Sequence, residues 1–298
     1  MSADLGVVVI THNSADVVGP LLASLPGALA GLEAQVVVVD NDSADDTVAL
    51  LRAQGVYVVE AANNGYAAGI NCGVERLTDG VPVLVLNPDV LLDPGAVRVM
   101  LDRLDDPGIG IVAPRMLDGE GVLTPSLRRE PSLPRALGLG FTGAPALSED
   151  ITDPATYEHA QEVGWATGAV LLVRRECHEI LGGWDESFFL YSEETDFSLR
   201  AKDAGWRTVY EPGATAHHEG SASGWNDRLY TMQILNRVRL YGRRHRASAR
   251  WLFYLLALVR EGALAVRGRS EARAALLALL LPSRRPAELG LSGRVGPW

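Results

Sequence analysis

The feature that most restricts this chain is a rhythm in its first 115 residues. Short runs rich in β-branched residues, Val7–Thr11, Val36–Asp40, Val56–Glu60, Val83–Asn87 and Ile109–Ala113, alternate with helix-like stretches such as Ala44–Gln54, Tyr66–Leu77 and Pro94–Leu104. Strands that are apolar on both faces must be covered on both. Strands joined through helices run parallel, so the rhythm predicts an α/β fold: a mostly parallel central sheet with helices on both faces. In open sheets of this kind ligands settle beyond the carboxyl ends of the strands. There the sequence places Thr11-His12-Asn13, Asp40-Asn41 and Asn87-Pro88-Asp89, three polar groups on one edge.

Further along, residues 117–162 are rich in Pro, Gly, Ser and acidic groups and lack periodicity, which predicts a long surface excursion. A second structured block follows, with a strand at Ala169–Arg174, helices at Arg175–Leu181 and Glu193–Ala204, and a strand at Arg207–Tyr210. Helices are expected to fill the remainder. Two cysteines, Cys72 and Cys177, exclude a disulfide scaffold and a cysteine zinc site and fit a reducing cytoplasm. The first residues enter a strand pattern without signal-peptide features, and the longest apolar run, Trp251–Val259, stops at Arg260, too short to span a bilayer. The net charge of -10 is uneven: from Arg237 onward it is about +10, before it about -20. Because the tail's arginines alternate with apolar runs, the tail reads as basic amphipathic helices suited to an anionic membrane surface, not to nucleic acid.

Several residue groups have the chemistry of a site. No G-x-x-x-x-G-K-[ST] motif is present and no G-x-G-x-x-G follows the first strand, so a phosphate would have to be held by other means. A divalent cation, Mg²⁺ or Mn²⁺, held by carboxylate and amide oxygens is one, since it neutralises a diphosphate. Asn87 and Asp89 flank Pro88, which ends its strand and leaves both side chains at the edge. Glu193, Glu194 and Asp196 crowd one helix start, where the helix dipole favours negative charge and Ser192 is placed to cap. Set among aromatic residues, such a carboxyl has a raised pKa and suits a general base. His217 and His218, read as a loop after a strand, are competent metal ligands, though neighbours cannot easily face one site.

Taken in order, these segments resemble family 2 of the glycosyltransferases, in particular its bacterial rhamnosyltransferase-like members. The resemblance spans most of residues 5–223: Val-Val-Ile-Thr-His-Asn-Ser from Val8, Val-Val-Asp-Asn-Asp-Ser from Val38, Asn64 to Asn71, Leu86-Asn87-Pro88-Asp89, Thr167-Gly168-Ala169, Gly182-Gly183-Trp184-Asp185-Glu186, and the Phe-Phe-Leu-Tyr-Ser-Glu-Glu-Thr-Asp block. It implies the inverting GT-A fold over residues 1–223, with a nucleotide-binding half (1–115) and an acceptor half (163–223), followed by the basic helical region 224–298. It also implies transfer of a sugar, L-rhamnose from dTDP-L-rhamnose before UDP-sugars, to a saccharide or polyprenyl-linked saccharide at the inner face of the plasma membrane, with an oligomer left open.

By the resemblance, Thr11, Asn13 and Asp40 would contact the nucleotide, Asp40 accepting from the base. Asn64, Gly65, Gly69 and Asn71 would lie near base and ribose, the glycines making room. Asn87 and Asp89 stand where the family has Asp-x-Asp, so an amide replaces the first carboxylate. The family's base falls on Glu194, with Glu193 and Asp196 as alternatives, Asp196 instead orienting Arg200. Trp184 and Asp185 would line the acceptor subsite. His218, in His218-Glu219-Gly220-Ser221-Ala222-Ser223, would join Asp89 on the cation, with His217 the choice if the loop is shifted. Two other classes are weighed: a sugar-1-phosphate nucleotidyltransferase, whose Gly-rich basic signature is absent after the first strand, and a catalytically silent glycan-binding module.

Overall fold

The computed structural model describes residues 3–218 and 226–291. In chain order its elements are β1 (Leu5–Thr11), α1 (Ala15–Leu29), β2 (Ala34–Asn41), α2 (Thr47–Ala53), β3 (Val58–Ala61), α3 (Tyr66–Val74), β4 (Val83–Leu86), β5 (Val90–Leu92), α4 (Ala96–Arg103), β6 (Ile109–Leu117), β7 (Leu127–Arg128), α5 (Leu133–Ala136), β8 (Gln161–Val163), β9 (Trp165–Ala166), β10 (Val170–Val173), α6 (Arg175–Leu181), α7 (Glu193–Asp203), β11 (Arg207–His218), α8 (Asp227–Arg244), α9 (Ala247–Val266) and α10 (Ser270–Leu280).

The expected α/β architecture is present. Strands β3-β2-β1-β4 form a parallel run, and β6 and β11 share its direction. Strand β10 is inserted antiparallel between β4 and β6, while β5 and β8 pair antiparallel with β11. Side chains alternate between two apolar layers, as a period of two requires. Val7 and Val9 of β1 enter one layer with Leu84 and Leu86 of β4; Val8 and Ile10 enter the other with Val83 and Val85. Helices cover both layers, so a polar side chain at any of these positions would be buried without a partner.

Three local expectations are corrected. Helix α1 is absent from the segments assigned above: Pro20 and Pro26 obscure its apolar positions Val18, Leu21, Leu25 and Ala28, which recur at helical spacing and are buried. Strand β11 continues to His218, whereas the sequence reading ends it at Tyr210 and makes the histidines a loop. The cause is an irregularity between Glu211 and Thr215 containing Pro212-Gly213, after which pairing with β6 resumes. Residues 117–162 are more than a surface excursion. The hydroxyl of fully buried Tyr157 donates to Ile151 O (2.8 Å) and accepts from Leu127 N (3.0 Å), and its ring packs edge-on to Tyr210. This stitch, with the β7–β9 pairing of Arg128 to Trp165, holds the segment over the sheet edge.

Helices α8, α9 and α10 pack around a third apolar cluster that includes Tyr230, Leu235, Phe253 and Leu279. Helix α8 is also joined to the rest of the chain. Buried Asn236 donates to Leu190 O (2.9 Å) and Tyr191 O (3.0 Å), and Arg239 donates to Ser187 O. Among the described residues, no helix is long and apolar enough to cross a membrane.

Candidate active site

At the carboxyl ends of β1 and β2, Thr11 and Asp40 are register partners and both are buried. Oδ1 of Asp40 accepts from the Thr11 hydroxyl (2.8 Å) and the Ser43 hydroxyl (2.6 Å), and Oδ2 accepts from Ser43 N (2.9 Å). Asn13 is exposed nearby in a left-handed conformation (φ 51°), its Oδ1 accepting from Ala44 N (2.8 Å). The edge is thus a rigid shelf of mutually bonded polar groups.

The next segment is arranged differently from expectation. Asn64 is exposed and its amide N donates to Ala62 O. Gly65 (φ 99°) makes room for protein backbone: a Cβ there would lie 2.2 Å from Phe189 O. A Cβ at Gly69 would meet Asn41 at 3.2 Å, so this glycine serves close packing of α3 on the sheet. Asn71 braces the 183–186 loop, its Oδ1 accepting from Trp184 N (2.9 Å) and its Nδ2 donating to Trp184 O and Glu186 (both 2.9 Å). The room attributed above to the nucleotide is filled by this chain itself.

Asn87 and Asp89 follow β4. Antiparallel pairing of β5 with β11 sets His218 opposite Val90 and His217 opposite Leu91. His218 Nε2 lies 3.1 Å from Asp89 Oδ1, with the Asp89 side chain only 9% exposed. His217 turns to the other face and pairs with Asp93 (3.1 Å), which removes it from the Asp89 site. Two ligands at adjacent positions of an octahedral cation with bonds of about 2.1 Å would be about 3 Å apart, so the Asp89–His218 pair fits two positions. Among the described residues no group of three or more His, Cys, Asp or Glu is placed to hold a metal, so the acidic and imidazole ligands described here are this pair alone. Glu219 to Ser223 of the histidine motif lie outside the described residues.

Glu193 and Glu194 open α7 behind a strained turn in which Tyr191 (φ 67°) and Ser192 (φ 74°) are both left-handed. Ser192 occupies the cap position without making a side-chain cap, contrary to expectation. The turn is held by Asn236 from α8 and by Tyr66 N, which donates to Phe189 O (2.8 Å). The Oε2 atoms of Glu193 and Glu194 are buried and have no hydrogen-bond partner among the described residues. Burial, then the charge of Glu194, drives the Glu193 carboxyl well above the usual range, and burial likewise raises Glu194. Asp196 instead pairs with Arg200 (2.6 Å), whose other nitrogens donate to Leu181 O and Gly183 O. That makes it an organiser of the preceding loop and removes it from the candidate bases. Trp184 is 3% exposed and stacked on Phe197 at 4.4 Å, a core residue. Asp185 accepts from Ser187 N (2.9 Å) and pairs with Arg243 (2.6 Å). Both are thus engaged within this chain, the Trp184 ring in the core and the Asp185 carboxylate in an ion pair.

A cavity of about 630 Å³ opens in front of the two glutamates. Asn87, His218, Glu193 and Glu194 line it, together with residues that the sequence reading missed: Tyr66, Arg128, Arg135, Arg237 and Arg260. The Tyr66 hydroxyl, pushed well up by burial and then by Glu193, Glu194 and Asp89, shows that these carboxylates share one locality. Tyr66 stood inside a segment already singled out and was legible as its aromatic member. The arginines come from the 117–162 segment and from α8 and α9, where no motif marked them. The division at residue 223 therefore separates stretches of chain, while the cavity draws on both sides of it.

Residues 6–159 match the family described as Glycosyl transferase family 2, and residues 147–280 match Glycosyl transferase family group 2. N-acetylglucosaminyl-diphospho-decaprenol L-rhamnosyltransferase of Mycobacterium tuberculosis is 34% identical over 247 residues, covering 75% of this chain and 79% of that protein. A low-salt glycan biosynthesis hexosyltransferase of Haloferax volcanii is 28% identical, covering 68% of this chain and 62% of its own length. Among solved structures, the Pyrobaculum calidifontis mannosyltransferase in complex with GDP-Man and Mn²⁺ has a TM-score of 0.59 at 19% identity, covering 98% of this chain and 86% of that one. S. aureus TarS in complex with UDP-GlcNAc has a TM-score of 0.56 at 15% identity, covering 98% and 84%. With its polar edge, its buried glutamate pair and a family match over more than half its length, this chain belongs to glycosyltransferase family 2 and has the GT-A fold.

Proposed function

We propose that this glycosyltransferase moves L-rhamnose from dTDP-L-rhamnose to a hydroxyl of a lipid-linked saccharide, with inversion at the anomeric carbon, in cell-wall or polysaccharide synthesis. The observation that carries the reading is the pair of buried, unpartnered carboxylate oxygens of Glu193 and Glu194, set in one cavity with Asn87 and His218. The activity of the Mycobacterium tuberculosis relative, an N-acetylglucosaminyl-diphospho-decaprenol L-rhamnosyltransferase, supports both the sugar and the lipid-linked acceptor. The Thr11–Asp40–Ser43 shelf receives the nucleotide at the ends of β1 and β2, β1 being the direct neighbour of β4, whose end leads to Asp89. Asp89 and His218 hold a divalent cation, Mg²⁺ or Mn²⁺, which when bound neutralises charge on the diphosphate leaving group.

Glu194 takes the proton of the acceptor hydroxyl as that oxygen bonds to the anomeric carbon and the bond to the nucleotide diphosphate breaks. Burial raises its proton affinity, as a base working near neutrality needs. Burial and the charge of Glu194 push Glu193 higher still, so the pair resists carrying two negative charges at once. An inert glycan-binding module would have no reason to keep two carboxyl oxygens buried without partners, which favours catalysis.

Helix α9, flanked by Arg246 and Arg267, presents Trp251, Leu255 and Val259 at successive turns, 51%, 51% and 61% exposed. We assign this stripe to an anionic membrane surface, where a lipid-linked acceptor resides. Loss of vesicle binding in Trp251→Ser/Leu255→Ser is expected, and unchanged binding contradicts the assignment. The activity is tested with a panel of dTDP-L-rhamnose, UDP-N-acetylglucosamine, UDP-galactose and UDP-galactofuranose, an N-acetylglucosaminyl-diphospho-polyprenol acceptor, and Mg²⁺ or Mn²⁺. Transfer of rhamnose with inverted configuration is expected. No transfer from any donor overturns the reading.

A further inference from the structure

The cavity is lined by two chemically different groups of side chains. One comprises Glu193 and Glu194. The other comprises Arg128 from β7, Arg135 from α5, Arg237 from α8 and Arg260 from α9. Among these arginines Glu149 pairs with Arg237 (2.5 Å) and Asp150 with Arg128 (2.8 Å), so two lining carboxylates face four lining guanidinium groups. Arg260 pairs with Glu261 (2.6 Å), a fully buried carboxyl whose pKa is raised by burial against the opposing pull of Arg260 and Arg237. Arg135 has its Nε buried with no hydrogen-bond partner among the described residues, while its Nη1 donates to Glu130 O. Burial, and next the charge of Arg129, lowers its proton affinity, with Glu149 and Glu130 acting in the opposite direction.

The wall is also fitted together. Gly138 lies so close to Arg260 that a Cβ would sit 2.4 Å from its Nε. Arg237 donates to the Arg135 carbonyl (3.1 Å) and stacks over Phe253. Guanidinium forks matched to neighbouring oxygens are what a diphosphate demands, whereas a neutral sugar needs no such excess of positive charge. The cavity volume is that of pockets that enclose a ligand larger than one sugar ring. Arg128 is the arginine whose field reaches Glu194, so this wall begins beside the base. Arg260 directly follows Val259 of the exposed apolar stripe on α9.

We infer that this arginine wall is the subsite for the acceptor's diphosphate, holding a saccharide-diphosphate-lipid with its sugar toward Glu194 and its lipid leaving along α9. The inference rests on the lipid-linked acceptor of the proposed function and adds the group that recognises it. The donor carries a diphosphate too, and its place is the Asp89–His218 pair, so the two sources separate experimentally.

The direct test is equilibrium binding of geranyl diphosphate to the full-length protein in excess chelator, with geraniol as the uncharged comparison. Wild type is expected to bind geranyl diphosphate at least tenfold more tightly than geraniol. Arg237→Ala and Arg260→Gln are each expected to weaken geranyl diphosphate binding at least tenfold while dTDP affinity with Mn²⁺ stays within threefold. Arg260→Gln changes a side chain that is 25% exposed, and thermal melting establishes that this variant is folded. In turnover, the preference for an N-acetylglucosaminyl-diphospho-lipid over an octyl N-acetylglucosaminide falls at least tenfold in both variants. Equal binding of geranyl diphosphate to wild type and variants overturns the inference, as does a loss confined to dTDP, which would give the wall to the donor. If wild type transfers no sugar, the proposed function fails, while the binding measurement still decides the subsite.

Discussion

At the carboxyl ends of β1 and β2 the polar side chains satisfy one another, whereas at the start of α7 they do not. Asp40 is almost wholly buried yet accepts from Thr11 and twice from Ser43. Glu193 and Glu194 each keep one buried carboxyl oxygen without a partner among the described residues, behind two left-handed residues. The first arrangement stabilises the fold and offers a rigid surface. The second stores unfavourable desolvation at the place where a proton must move. The comparison teaches which substitutions cost stability and which cost only activity.

The largest expected effect is at the junction of the two regions. Asp89→Ala is predicted to lower kcat/KM by about 10²–10³ at saturating Mg²⁺ or Mn²⁺, while His217→Ala, on the opposite face of β11, stays within about threefold, because a distant surface substitution rarely matters more. Steady-state kinetics of the two variants check both. Equal losses would mean that the adjacent histidines act together.

Next comes the shelf. Asp40→Asn replaces one acceptor oxygen by a donor facing Ser43 and Thr11, and is predicted to cost about 2 kcal/mol of unfolding free energy, read from the denaturant midpoint. Nucleotide affinity should fall with it. An Asp40→Asn protein of unchanged stability would break the contrast between the regions.

The smallest effect has the opposite sign. The Glu193 carboxyl is raised above its unfolded value, so its favourable contribution is complete below about pH 4.5 and is lost as pH rises through the higher folded value. Glu193→Gln removes the buried charge and is predicted to raise Tm at pH 8 by about 2 °C, with little change at pH 4. Thermal melts at the two pH values check this, and destabilisation at pH 8 would show that the carboxylate is satisfied after all.

Much of this was legible because the signals are local. The β-branched runs announce β1, β2 and β4, and Pro88 marks where a strand must stop. The crowding of Glu193 and Glu194 beside aromatic residues foretold their raised pKa. What stayed hidden depends on approach through space. Gly65 reads as room for a ligand until Phe189 is seen to fill it, and Asn71 reads as a contact until Trp184 is seen to need it. Trp184 has a sequence context suited to a sugar platform, but its stacking on Phe197 decides for the core. The bulge at Pro212-Gly213 disguised the strand that carries His218 to Asp89. The arginine wall combines four separated segments, two of them on C-terminal helices whose pattern speaks only of amphipathicity.

The central claim is that Glu194 is the base, and kcat measured against pH for wild type and Glu194→Gln tests it most directly. Wild type should lose activity on the acid side with an apparent pKa above the ordinary glutamate value of about 4.3, because burial raises this carboxyl. Glu194→Gln should be slower by about 10²–10⁴, lack that acid limb, and keep its donor KM. A Glu194→Gln enzyme with wild-type kcat and an unchanged acid limb would contradict the account.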